Sequence, residues 1–197
     1  MFLILVISIH TILKHLISLL LVFVSYRGFS QDGNLPLDSH KQVYYSDRGK
    51  LEKSQEEIYK KAQKWVIKTF ANYDQTAPGQ GPETGKLVIN SYVPVSHSIY
   101  DYIRFDLTID CKDQAYESAI DKLDGTSAIR TPIRLSSKDN DAVLEKAVTL
   151  KTETNKKKKA EAEQILEAAK ADNEAVNSAM YNLLASLKEF MINETEK

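Results

Sequence analysis

Cysteine is nearly absent from this 197-residue chain, where Cys111 stands alone. One thiol can build neither an internal disulfide framework nor a thiolate zinc cluster. An excess of charge of one sign is missing too. Lys and Arg number 26 against 27 Asp and Glu, so no global basic field exists to gather nucleic acid. Histidine is scarce: beyond residue 30 only His40 and His97 occur, and neither has the HxH or HxxxH spacing of a metal site. Both read as exposed loop residues. Proline and glycine number five and seven, and neither occurs after Pro132, so the last third lacks the residues that interrupt helices.

Apolar side chains crowd the N terminus. Met1 to Val24 is almost wholly apolar, broken by His10, Thr11, Lys14 and His15. A membrane-spanning helix needs about 20 consecutive apolar residues, and the basic pair falls in the middle of this stretch. A cleaved export signal fits better. Lys14 and His15 make a short basic start, Leu16 to Val24 an apolar run, and Gly28-Phe29-Ser30 places small residues before a cut between Ser30 and Gln31. Met1 to Leu13 is surplus to that pattern, as a start site set too far upstream would explain. No cysteine follows the run, which argues against a lipid anchor. The expectation is an exported protein, periplasmic or extracellular, with no membrane span after cleavage. Lys14 and Arg27 are the only charged side chains among the first 30 residues, so the rest has 24 basic against 27 acidic groups, a net of −3.

The remainder divides by composition into a flexible tether over 31–40, an α+β domain over 41–136, a helical extension over 137–192 and a disordered terminus over 193–197. A first strand is expected near Gln42–Ser46. Ser54-Gln55-Glu56-Glu57 has the form of a capping box. Ile58, Ala62, Trp65, Val66, Thr69, Phe70 and Tyr73 then recur at helical spacing, opposite Lys60, Lys61, Lys64 and Lys68. An aromatic inside such a stripe belongs to a core. Asp74 to Thr84 reads as a loop. Its Gly79-Gln80-Gly81 lacks the Lys-Ser/Thr ending of a phosphate loop. Strands are expected at Lys86–Val93 and at Ile99–Cys111, where Ile103, Phe105, Leu107 and Ile109 alternate with polar residues. Ala115–Leu123 is a further strand, with Asp124-Gly125 as a hairpin turn into Thr126–Arg130. From Lys138 onward, Val143, Leu144, Ala147 and Val148 form one short stripe, and Ile165, Ala169, Val176, Met180, Leu183, Leu187 and Phe190 a longer one. The run Lys156–Lys159 reads as a solvated helix face. Charge on the outer face of the central strand (Arg104, Asp106, Asp110) argues against docking there, so the long stripe points to self-association or another partner.

The segment Ser54-Gln55-Glu56-Glu57-Ile58-Tyr59-Lys60-Lys61-Ala62-Gln63-Lys64-Trp65 resembles the opening helix of the domain of unknown function 4468. The strand Gly85-Lys86-Leu87-Val88-Ile89 and the strand end Cys111-Lys112-Asp113 resemble the same family. The resemblance runs from Val43 to Leu135. It implies a TATA-binding-protein-like fold, a curved antiparallel sheet packed on one helix, in an exported bacterial protein with no assigned activity. The chain departs from the pattern at Gln114-Ala115-Tyr116-Glu117, where the family continues into a Gly and a Tyr-Arg pair, so no role of that arginine transfers. A TATA-binding-protein-like fold does not by itself imply DNA binding.

No catalytic constellation is legible. Ser96, Ser98, His97 and Asp101 are too close in sequence to converge from one strand, and no nucleophile elbow is present. Asp106 and Asp110 are too few ligands for a calcium cage. The feature above background is an aromatic group on the outer strand face, Tyr100, Tyr102 and Arg104, joined by Tyr92 and Tyr116. Exposed Tyr and Arg are enriched at binding hot spots, although Tyr also simply favours strands. The reading is therefore an exported, non-enzymatic module that binds a protein or cell-envelope component through Tyr100, Tyr102 and Arg104. No metal, cofactor or nucleic acid is expected, and the C-terminal helix is available for self-association. The alternative is an envelope hydrolase or other enzyme with its site in the β-meander.

Overall fold

A computed structural model describes residues 33–70, 74–75 and 81–193. The N-terminal apolar stretch, the expected cleavage point at Ser30 and Gln31, and residues 194–197 lie outside the described residues.

Six antiparallel strands form one sheet. They are β1 (Tyr45–Lys50), β2 (Asp74–Gln75), β3 (Lys86–Pro94), β4 (Tyr102–Lys112), β5 (Ala115–Ser127) and β6 (Arg130–Arg134). The order is β1-β5-β4-β3-β2, and β6 pairs with the far end of β5. Three helices accompany them: α1 (Gln55–Thr69), α2 (Ser137–Thr152) and α3 (Lys156–Ile192).

The capping box at Ser54 is formed as the sequence predicts. The Ser54 side chain accepts from the Glu57 amide while Glu57 accepts from the Ser54 amide at 2.9 Å. Asp113 accepts the Gln55 amide at 2.8 Å, tying the start of α1 to the β4–β5 hairpin. Ile58, Ala62, Trp65 and Val66 of α1 face inward with Leu87, Ile89, Ile103, Phe105, Leu107, Ile109 and Ile120 of the sheet. Period 2 meets period 3.6 across one apolar layer. Trp65 is 2% exposed. Its ring meets Phe70 edge to face at 5.5 Å, and its indole N–H donates to Ser186 at 3.3 Å. Cys111 is buried in the same core, and desolvation pushes its thiol up to about 12.

Ser186 belongs to α3, and the destination of α3 corrects an expectation. The long stripe is not left for a partner. Val176, Met180, Leu183, Leu184, Leu187 and Met191 join the core, with α3 packed against β1 and α1. The outer charges do not oppose this, because α3 uses the inner face that α1 leaves partly bare. The extension and the sheet therefore share one core. The extension itself is two helices broken at Glu153-Thr154-Asn155. Asn155 caps α3 by accepting from the Lys157 and Lys158 amides. Packed on each other, α2 and the first half of α3 leave Leu144, Val148 and Ile165 exposed.

Other expectations shift with tertiary context. The first strand is Tyr45–Lys50, while Gln42 and Val43 make only single bridges, to Ser136 and Leu37. The loop after α1 contains the two-residue β2. Residues 33–40 are no flexible tether: Leu35 is 2% exposed and sits in the core. Asp124-Gly125 is not a turn. β5 runs straight through it and reverses between Ser127 and Arg130, where Asp101 accepts the Ala128 amide at 2.7 Å. Gly125 is required instead because the Tyr100 ring lies so close that a Cβ would collide with it.

Trp65→Ala removes a buried ring that bridges α1 and α3. It is expected to destabilise the protein by about 3–5 kcal/mol, read as a lower urea midpoint. An unchanged midpoint would refute the core role of this residue.

Candidate functional site

Among the described residues, the helices and the strap of residues 33–37 leave the outer face of the sheet open. Register places its side chains in cross-strand rows. Pro94, Tyr102 and Thr126 form one row, and Tyr92, Arg104, Asp124 and Arg134 the next. Asn90, Asp106 and Asp121 follow. Val88, Thr108, Ala119 and Ser46 come after them, and Lys86, Asp110, Glu117 and Arg48 end the face.

Two of the three residues expected at a binding surface are there. Tyr102 is 37% exposed and Tyr92, on the neighbouring strand, 49%. Their rings lie 5.5 Å apart in a tilted pair. Arg104 is held between them and the polar rows, its Nε donating to Asn90 Oδ1 at 2.7 Å. Tyr100 is not on this face. It precedes β4, is 8% exposed and lies over Gly125, and burial pushes its hydroxyl up to about 12. The alternation of β4 does not reach back that far, because the chain bends through residues 97–101 with His97 left-handed at φ 60°. Tyr116 is likewise a core residue, packed over Gly49.

Next to the tyrosine pair sits a polar network. Asn90 Nδ2 donates to Asp106 Oδ1 and Lys122 Nζ to Asp106 Oδ2, both at 2.8 Å. Arg134 pairs with Asp124 through two nitrogens. Lys122 reaches Asp106 from an irregularity in β5, where the register shifts opposite Phe105 and Lys122 is left-handed at φ 50°. Partial burial works to raise the Asp106 carboxyl, yet the hydrogen bonds from Lys122 and Asn90 outweigh it and hold the group below its usual value. Across the ladder, Asp121 goes the other way. Desolvation raises it, reinforced by Asp106 and opposed by Lys122. The pair thus sits beside the rings as one firmly ionised carboxylate and one that gives up its charge more readily. Sequence reasoning missed Asn90, Lys122, Asp124 and Arg134, because only strand register brings them together.

At the other end of the face a groove of about 540 Å³ opens between Tyr44, Ser46 and Arg48 on one side and Thr108, Asp110 and Glu117 on the other. Among the described residues, no group of three or more His, Cys, Asp or Glu is placed to hold a metal ion.

The two carboxylates predict opposite responses to neutralisation. Because the folded-state value of Asp106 is depressed, its contribution is present above the unfolded value of about 3.9 and fades as pH falls through the lower folded one. Asp106→Asn is therefore expected to reduce stability by about 1 kcal/mol at neutral pH, with the difference shrinking below about pH 4. Asp121 is raised, so its charge opposes folding at neutral pH, and Asp121→Asn is expected to raise the melting temperature. Thermal melts across pH check both, and a shared sign would refute the network.

Residues 50–124 match the family model described as a domain of unknown function (DUF4468) with TBP-like fold. Among solved structures, a TBP-like protein from Parabacteroides distasonis ATCC 8503 aligns with a TM-score of 0.56 at 17% identity, over 80% of this chain and 97% of that one. A DUF4468 family protein from Bacteroides ovatus ATCC 8483 aligns with a TM-score of 0.47 at 16% identity, over 83% of this chain and 94% of that one. No curated protein matches the chain. The family match, and the Parabacteroides likeness in fold, agree with the six-stranded sheet and the capped helix beneath it: the chain has a TBP-like fold, and its segment 50–124 is similar to the DUF4468 family.

Proposed function

We propose that this protein is an exported, non-enzymatic module that binds a protein partner of the cell envelope on the open face of its sheet, through Tyr92, Tyr102 and Arg104. One observation carries the reading: a sheet face that none of the described helices covers presents two exposed, mutually packed tyrosines beside an arginine that Asn90 already orients. Rings fixed on strands present area with little conformational entropy left to lose, and Tyr and Arg are the residues on which interface energy concentrates. Two ion pairs beside them, Lys122 with Asp106 and Arg134 with Asp124, supply a polar rim. Export is supported by the basic start, apolar run and small-residue cleavage pattern that end at Ser30. Among the described residues no helix is long and apolar enough to cross a membrane.

An enzymatic reading would use the opposed carboxylates Asp106 and Asp121. It predicts a reaction lost in Asp106→Asn and unaffected by Tyr92→Ala.

The protein, used as bait against a cross-linked envelope fraction, is expected to retain a defined partner that Tyr102→Ala and Tyr92→Ala each reduce at least tenfold, with melting temperatures unchanged because both rings are exposed. Equal recovery by these variants would overturn the assignment of the face. Cell fractionation with N-terminal sequencing is expected to find the exported chain beginning at Gln31, and a product retaining earlier residues would overturn the cleavage site.

A further inference from the structure

Away from the open face, the segment just after the expected cleavage point lies in a site built to hold peptide backbone. Asn140 of α2 brackets Leu35, accepting its amide at 2.7 Å and donating to its carbonyl at 2.9 Å. From α3, Asn173 donates to the Gly33 carbonyl at 2.7 Å and Asn177 to the Asn34 carbonyl at 3.0 Å. Glu174 accepts the Gly33 amide at 3.2 Å. Three consecutive residues thus make five hydrogen bonds with side chains of the two helices, two donated by their amides and three accepted by their carbonyls. Asn173 and Asn177 are each only 6% exposed, where an unpaired amide would be costly. Asn177 is fixed from behind, since its Oδ1 accepts the Tyr45 hydroxyl at 2.8 Å. Leu35 fills a slot in the core, while Asn34 points outward and is exposed. Gly33 is left-handed at φ 67°, and a Cβ there would collide with Lys170.

We infer that Gly33–Pro36 is a latch: an intramolecular peptide ligand of the α2–α3 hairpin, held by sequence-tolerant backbone bonds and selected by glycine first and leucine third. The site's ligand class is a Gly-x-Leu peptide with its glycine left-handed, and its occupant is this chain's own segment. The latch joins the hairpin to β1 through Tyr45, so a pull on the chain before Gly33 acts first on these five bonds. The inference uses none of the residues assigned to the sheet face, and its failure leaves that reading intact.

A labelled synthetic peptide of residues 31–38 tests it against the full chain. In the unsubstituted protein the site is filled in cis at millimolar effective concentration, and no binding is expected. Gly33→Ala combined with Leu35→Ser, which ejects the segment, is expected to open saturable binding. Placing Leu35→Ser in the peptide should then weaken it at least tenfold. A milder arm uses Asn140→Ala, in which hydrogen exchange of the Leu35 amide should accelerate at least tenfold while amides of α1 keep their rates. Failure of the ejected variant to take up the peptide, or unchanged exchange at Leu35 in Asn140→Ala, overturns the latch. Should the double variant not fold, the exchange result decides alone.

Discussion

A sheet with one apolar face must cover that face, and in this chain two helices divide the task. α1 lies mainly over β3, β4 and β5, while β1 is packed by α3. The uncovered side is closed by the second half of α3, whose apolar residues begin at Val176. That requirement accounts for the buried apolar run from Val176 to Met191 in this 37-residue helix. It also explains why Trp65 faces Ser186, and why Tyr45 meets Asn177. The first half of α3, released from that duty, pairs with α2 instead.

The same constraint leaves the other face free to be polar. Some of its charges pair across strands, Lys122 with Asp106 and Arg134 with Asp124, and beside them the face retains exposed aromatic area at Tyr92 and Tyr102. The rings stand on the central strand and its neighbour, where ladders run along both sides of β4. A partner would therefore meet a preformed platform instead of a loop that must be ordered first.

Local chemistry was legible and long-range register was not. The capping box at Ser54 and the stripe through Trp65 involve residues three or four apart, so their sequence spacing is their spatial spacing. The alternation of Ile103 to Ile109 was legible for the same reason. Tyr100 was misplaced because period 2 persists only while the strand does, and left-handed His97 ends it. Asp124-Gly125 has the chemistry of a turn, but its glycine answers to the Tyr100 ring, a tertiary neighbour 25 residues away in sequence. The destination of α3 depended on which sheet face had room, and the ordered strap on asparagines more than 100 residues distant; neither has a local signature. Of the open face, Tyr102 and Arg104 could be named from their strand, whereas Asn90, Lys122 and Arg134 join them only through pairing.

Cys111 shows one further consequence of the core that α1 and α3 complete. A thiol that desolvation raises well above its ordinary value carries very little thiolate at neutral pH, and its side chain is 1% exposed in the fold. In an oxidising compartment the native protein would neither form mixed disulfides nor compete for oxidoreductases. Modification of that sulfur requires the sheet and helices to part. Its rate of reaction with a soluble thiol reagent is thus a built-in clock for global opening, readable without adding any probe to the chain.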